Sequence, residues 1–409
     1  MIGKSLLSPL KSNPFRALWV GQTFSRLGDC IMTVLLPMTV YSMSKSAMAM
    51  SLVMALMFLP KIILLPFTGV LVDRLSRVML MIISDLCRFV ILLILAYLYY
   101  INSLSITTIY LYAVLSGIMG SLFQPAYSAV RAQVFTEDIR ISANSLTQIS
   151  EQFALLVGPL LGGLIITFSS PATGFALDGL TFFISIISLL FINIKTTVSN
   201  IEGKPIAKFY QDFLGGLQVV SKNPWLWITI IASAFLNVIL LSFSSVLIPW
   251  LIKVDLFSKT GSSYYGILMS ASGAGALFMA LLYSSKTRWT HRGILAYFSI
   301  FVAGISLGCL GLISFFPILI VLLVVVGMSI MFFNLTWEIS LQEFVPKDVF
   351  GRVASLDLMG SYILLPIGYI LTGWLWTSIG GIYTIFLEGF SLIIISILPV
   401  FISSLRKYN

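Results

Sequence analysis

Apolar stretches of roughly 20 residues, long enough to cross about 30 Å of hydrocarbon as α-helix, recur from Phe15 to Ile402 with no gap wide enough for a water-soluble domain. Backbone polar groups in lipid must be satisfied within the protein, so such a chain folds as a helix bundle or a closed barrel. A barrel strand would show short alternating segments; the continuous Leu, Ile, Phe and Val runs here select helices. Composition agrees, because 58% of the 409 residues are hydrophobic and 10% are charged, where a soluble domain uses about 25% charged residues.

The spacing predicts twelve spans, at 16–43, 47–72, 78–100, 105–129, 143–168, 174–194, 225–252, 264–283, 293–313, 317–340, 353–378 and 382–404. The opening residues lack a hydrophobic core followed by a small-residue cleavage site, so the first span is expected to double as the targeting signal. Cys30, Cys87 and Cys309 lie in spans without paired spacing and are expected to be packing residues. An even span number puts both termini on one side, and 18 of the 24 Lys and Arg residues fall on that side, against Lys45, Lys253 and Lys259 opposite. The positive-inside rule makes both termini cytoplasmic and accounts for the net charge of +9 without a nucleic-acid partner.

An offset of 210 residues aligns the chain with itself. Asn13-Pro14 matches Asn223-Pro224, Ser145-Leu146 matches Ser355-Leu356, Gly158 and Gly163 match Gly368 and Gly373, and Asp178-Gly179 matches Glu388-Gly389. The expected organisation is a six-helix half at 1–194, a cytoplasmic linker at 195–224 and a second six-helix half at 225–409. The fold class is an all-α integral membrane protein of twelve transmembrane helices in two pseudo-symmetric bundles. Tandem halves of this kind are the architecture of rocking transporters, with substrate bound near the bilayer midplane.

Between spans 2 and 3, Gly69-Val-Leu-Val-Asp73-Arg74-Leu-Ser-Arg77 resembles the signature loop of the major facilitator superfamily. In span 5, Gly158-Pro159-Leu-Leu-Gly162-Gly163 resembles that superfamily's antiporter motif. Leu27-Gly28-Asp29, Phe123-Gln-Pro-Ala and Ala143-Asn-Ser-Leu look like the branch containing macrolide-efflux proteins and the enterobactin exporter. The resemblance covers essentially the whole chain. It implies the major facilitator fold, a bacterial cell membrane, a small-molecule cargo, export by alternating access in exchange for protons, no cofactor, and action as a monomer. It also implies a conformational latch at Gly69, Asp73, Arg74 and Arg77. The pattern departs from the family where Ser76 and Val78 replace a glycine and a base, where Ser285 to Arg292 lack the acid of the first-half loop, and where span 4 has no arginine near Tyr112 or Ser116.

An ionisable group at mid-span costs about 2.5–3.5 kcal/mol even on the lenient insertion scale, so each needs a partner, a wet cavity or a function. In span 1, Gln22, Arg26, Asp29 and Thr33 share one helical face; in span 5, Asn144, Gln148, Glu151 and Gln152 do. Asp29 and Glu151 are the proton-coupling candidates, tuned by Arg26 or Lys61, although Arg26 and Asp29 as a mutually neutralising pair is an equal alternative. Asp85 and Arg88 are expected to satisfy each other three residues apart. Asp178 and Glu388 are expected in the first turns of spans 6 and 12, as dipole complements. Glu338 and Asp357 are expected to bond to cytoplasmic loops. At the offset of 210, Arg26 and Asp29 become Leu236 and Ile239, so coupling is expected in the first half. The substrate-cavity candidates are Gln22, Thr33, Gln148, Asn237, Asn334 and Trp337.

Other functions fit less well. Gly3-Lys4 and Gly203-Lys204 do not complete a phosphate loop, and the single His291 sits in a basic loop, which argues against an ATP-driven pump or a membrane enzyme. Uptake by the same fold and a non-transporting sensor remain open.

Overall fold

A computed structural model describes residues 7–136, 138–192, 205–252, 261–285, 289–346, 349–397 and 401–402. Within helices, the side chains at 65–67, 69–74, 141, 205–213 and 351 lie outside the described ones.

The first unit comprises Met1–Glu202 with Ser262–Gly266. Its helices are α1 (Asn13–Ser44), α2 (Ala47–Arg74), α3 (Arg77–Tyr100), α4 (Ile106–Val134), α5 (Arg140–Phe168) and α6 (Pro171–Leu190). Local chemistry sets the starts. Ser76, Ser105 and Ser170 each accept the backbone N–H three residues on, capping α3, α4 and α6, and Pro171 occupies the first turn of α6 where no donor is needed. The helices pack α1 on α5 and α6, α3 on α4 and α6, and α2 on α4. In α3, Met79, Ile83, Leu86, Val90, Ile94 and Tyr97 form an exposed apolar stripe, while Ser84 and Asp85 are buried. Apolar side chains outside and polar ones inside is the arrangement a lipid solvent favours.

The second unit comprises Gly203–Gly261 with Ile267–Asn409. It contains α7 (Pro205–Lys222), α8 (Pro224–Ser242), α9 (Ile248–Leu251), α10 (Gly261–Ser284), α11 (Arg292–Leu310), α12 (Phe316–Phe344), α13 (Phe350–Tyr362), α14 (Leu365–Ile379) and α15 (Gly381–Ser396). The stretch read as a linker thus carries the helix α7. A π-helical turn at Phe243–Leu247 joins α8 to α9 into one span over Pro224–Leu251. Pro249 lacks a donor for the Ser245 carbonyl and its ring crowds that oxygen, and widening the turn relieves both. Pro366 acts likewise on the Tyr362 carbonyl, and the span is interrupted at 363–364 between α13 and α14. Gly380, between α14 and α15, has φ +90°, a conformation that excludes most side chains.

Among the described residues, eleven helical spans are long and apolar enough to cross a membrane, and α15 is a shorter apolar helix. With α15 the chain has the twelve spans expected. Helix α15 ends at Ser396, and residues 398–400 and 403–404 of the expected twelfth span lie outside the described residues. Helix bounds repeat the offset of 210: α4 spans 106–134 and α12 spans 316–344, while α2 ends at 74 and α10 at 284, α3 at 100 and α11 at 310. The packing repeats too, with α11 on α12 and α15, and α8 on α13 and α14.

Two acids lie deeper than the sequence suggested. Asp178 and Glu388 are each the eighth residue of their helix, because Pro171 and Gly381 start α6 and α15 about two turns before the acids. No acid occupies either first turn, and both carboxylates are buried. The dipole explanation does not hold for them.

Candidate functional site

On α1, Arg26, Asp29 and Thr33 are exposed along one face, while Ser25, Gly28 and Cys30 are buried on the other. Buried small residues let α1 sit close to its neighbours, which turns the charged positions outward from the packed side. Arg26 interacts electrostatically with Asp29 and with Glu151 of α5. Among the described residues, neither Arg26 nor Asp29 is in an ion pair within 4 Å or a side-chain hydrogen bond. Thr33 Oγ1 donates to its own helix at Cys30 O (2.6 Å), and Gln22 is drawn to α6, donating to Ser185 Oγ at 3.3 Å. On α5, Asn144 and Gln148 are exposed, and Asn144 donates to Arg140 O.

The glycines of α5 hold it against α1. A Cβ at Gly158 would stand 2.4 Å from Cys30 Cβ, and one at Gly162 would stand 2.6 Å from the Ile31 carbonyl oxygen. Gly163 faces Ser262 and Gly266 in the first turns of α10, which belong to this unit, and Gly266 in turn meets the Pro159 carbonyl. Cys30 and Ile31 directly follow Asp29, so the motif sets where α5, and with it Glu151, stands relative to the charged face of α1.

Behind that face lies a second polar layer. Asp85 Oδ2 accepts from Ser185 Oγ at 2.7 Å, its Oδ1 has no hydrogen-bond partner, and the residue is fully buried. Arg88 does not pair with Asp85. Its guanidinium stacks between the rings of Phe123 and Phe182, 5.4 Å and 5.2 Å from their centroids, leaving Nε without a partner. The intrahelical pair expected for these two residues is not made, because α6 supplies a hydroxyl on one side and two aromatic faces take the cation on the other. Lys61 Nζ lies 5.0 Å from the Phe58 ring centroid and approaches Arg88 beside Gly120. Asp178 accepts from Thr181 and packs on Gly28 of α1.

In the second unit, Asp357 accepts from Trp337 Nε1 (3.1 Å) and from Ser361 Oγ (3.2 Å), and Asn237 donates to the Ser361 carbonyl. Asp357 is therefore bonded within the helices, and Glu338 accepts from Gln342 one turn on, so neither bonds to a loop as expected. Asn334 is exposed. Glu388 Oε1 accepts from Thr372 Oγ1 at 2.9 Å, while Oε2 has no partner.

Of the expected latch, Gly69, Asp73 and Arg74 lie in the last turns of α2 with side chains outside the described ones; Arg77 is the first residue of α3. The roles of Ser185, Phe123, Phe182 and Gly120 were not foreseen. Ser185 stands 100 residues from Asp85, and no spacing rule joins them.

A family model described as transmembrane secretion effector matches residues 4–408. The chain is 26% identical over 397 residues to macrolide efflux protein A of Streptococcus pyogenes, covering 97% of each chain. It is 28% identical over 373 residues to BacE of Bacillus subtilis, provisionally named as a bacilysin exporter, covering 88% of each. Among solved structures, the nucleoside transporter NupG aligns with a TM-score of 0.75 at 14% identity, over 97% of this chain and 100% of its own.

Proposed function

Because the chain belongs to the transmembrane secretion effector family of the major facilitator superfamily, and is a multi-pass membrane transporter of that type, we propose that it exports a small amphipathic molecule by alternating access. The membrane is the bacterial cytoplasmic membrane, with both termini on the cytoplasmic side. Support for the outward direction comes from relatives named for efflux that align over nearly the full length of both chains.

The observation that carries the coupling is the set Arg26, Asp29 and Glu151. These charges stand together on facing helices without a direct ion pair among them. An unpaired mid-membrane carboxylate on an exposed face is open to a proton or to cargo, where a closed salt bridge would be open to neither. In this reading Asp29 and Glu151 exchange protons, Arg26 biases their charge, and the α5 glycines keep α5 registered on α1 as the carrier changes state. One proton entering down 100 mV supplies about 2.3 kcal/mol, enough for an approximately fifty-fold gradient of a neutral solute.

The test is transport in inverted membrane vesicles. A proton gradient should drive accumulation of a labelled macrolide or bacilysin, and Asp29→Asn or Glu151→Gln should abolish it. Accumulation that survives an uncoupler defeats proton exchange; movement in the opposite direction defeats export.

A further inference from the structure

Two side chains and a glycine of the first unit converge at mid-membrane depth. Lys61 is the fifteenth residue of the 28-residue α2, about 20 Å of helix from either end, and Arg88 and Gly120 are similarly central in α3 and α4. A Cβ built on Gly120 would stand 2.8 Å from Lys61 Cε, 3.6 Å from Lys61 Nζ and 3.1 Å from Arg88 Nη2. Two cations therefore flank a position of α4 that has no side chain.

Neither cation is neutralised by a direct partner. Among the described residues, no ion pair within 4 Å involves Lys61 or Arg88, and Arg88 Nε is buried with no acceptor. Asp85 is engaged with Ser185 of α6. The charged groups that act on Lys61 are Arg88, Asp29 and Arg26, while Asp85 and Asp178 act on Arg88 without forming an ion pair within 4 Å. Holding like charges together in a low-dielectric region is unfavourable unless an anion joins them.

The repeat shows that the helix packing itself does not need them. At the offset of 210, Lys61, Arg88 and Gly120 correspond to Ala271, Phe298 and Ile330. The second unit builds α12 with the same bounds around apolar side chains.

We propose that Lys61 and Arg88, whose cationic ends meet over Gly120, form a binding site for an anionic group of the cargo, a carboxylate above all. A carboxylate accepts from an ammonium and a guanidinium at once, and the Phe58, Phe123 and Phe182 rings around the cations suit an apolar body attached to it. The midplane depth sets the site apart from those that hold lipid headgroups. The proposal rests on the transport reading only in calling the occupant cargo, and binding is measured without transport.

The experiment uses the full chain in detergent and two probes of nearly equal shape, benzoate and benzamide, followed by thermal stabilisation. Benzoate should stabilise the wild type and benzamide should not. Acetate should compete with benzoate, whereas acetamide should not. Lys61→Met and Arg88→Met should each weaken benzoate binding at least tenfold, and Lys61→Arg should restore most of it. Equal effects of benzoate and benzamide, or no competition by acetate, overturn the site on the wild-type protein alone, whatever the variants do. Undiminished benzoate binding in both Met variants also overturns it. If vesicle transport fails while benzoate binding behaves as stated, the export reading falls and this site stands.

Discussion

Ser185 Oγ on α6 donates a 2.7 Å hydrogen bond to Asp85 Oδ2 on α3, and the same hydroxyl receives Gln22 of α1 at 3.3 Å. One serine thus ties three helices, and it is the only side-chain partner of a fully buried carboxylate among the described residues.

Removing that hydroxyl should be costly. Ser185→Ala leaves both oxygens of Asp85 without a donor, at about 1–3 kcal/mol for a buried unsatisfied group and more if it is charged. The melting temperature in detergent should fall. Because the second unit holds Leu295 and Ile395 at the equivalent positions, the double variant Asp85→Leu/Ser185→Ile should lose less than the sum of the single changes.

Gly162→Ala should destabilise by about 1–3 kcal/mol, the usual range for overpacking. Its Cβ would stand 2.6 Å from the Ile31 carbonyl oxygen, and backbone cannot swing aside as a side chain can. Gly179→Ala is the control, since its nearest neighbour would be at an ordinary 3.5 Å. Thermal unfolding and vesicle transport should separate the two variants.

Thr372→Val keeps the shape and removes the one hydrogen bond to Glu388. Stability should drop by about 1–3 kcal/mol, while Glu388→Gln in the same background should recover part of it, because a neutral amide is less costly to leave unpaired. Paired melting curves test this.

Helix periodicity made the spans and the repeat legible, and the matching bounds of α4 and α12 show how closely length was kept. It also placed Arg26 and Asp29 on the exposed face of α1. What it could not supply was partners across helices. Asp85 and Arg88 look self-sufficient along α3 because spacing reports only one helix; the hydroxyl of Ser185 and the rings of Phe123 and Phe182 come from helices the pattern does not rank. Asp178 and Glu388 were misplaced for a humbler reason, since each is the eighth residue of its helix and so lies past the first turn, where the dipole acts. Pro366 and Pro249 were visible in the chain, but whether a proline yields a break or a wide turn depends on how the freed carbonyl is accommodated.

Orientation should be readable by labelling. With Cys30, Cys87 and Cys309 replaced, Ser103→Cys between α3 and α4 should react with a membrane-impermeant maleimide in whole cells. Thr290→Cys, before α11, should react only after lysis. Both positions are exposed, and the reverse result would invert the topology.

The buried bond from Ser185 to Asp85 also constrains how the protein is made. Ser185 follows Asp85 by 100 residues, about 5–20 s of synthesis at typical elongation rates of roughly 5–20 residues per second. During that interval α3 must enter the bilayer carrying an acid and a base whose mature partners on α4 and α6 are still unmade. The spacing of Asp85 and Arg88 would allow them to shield one another in the nascent helix, before Phe123, Phe182 and Ser185 are available. An i, i+3 pair that is absent from the finished transporter is thus well placed to act as its chaperone during insertion.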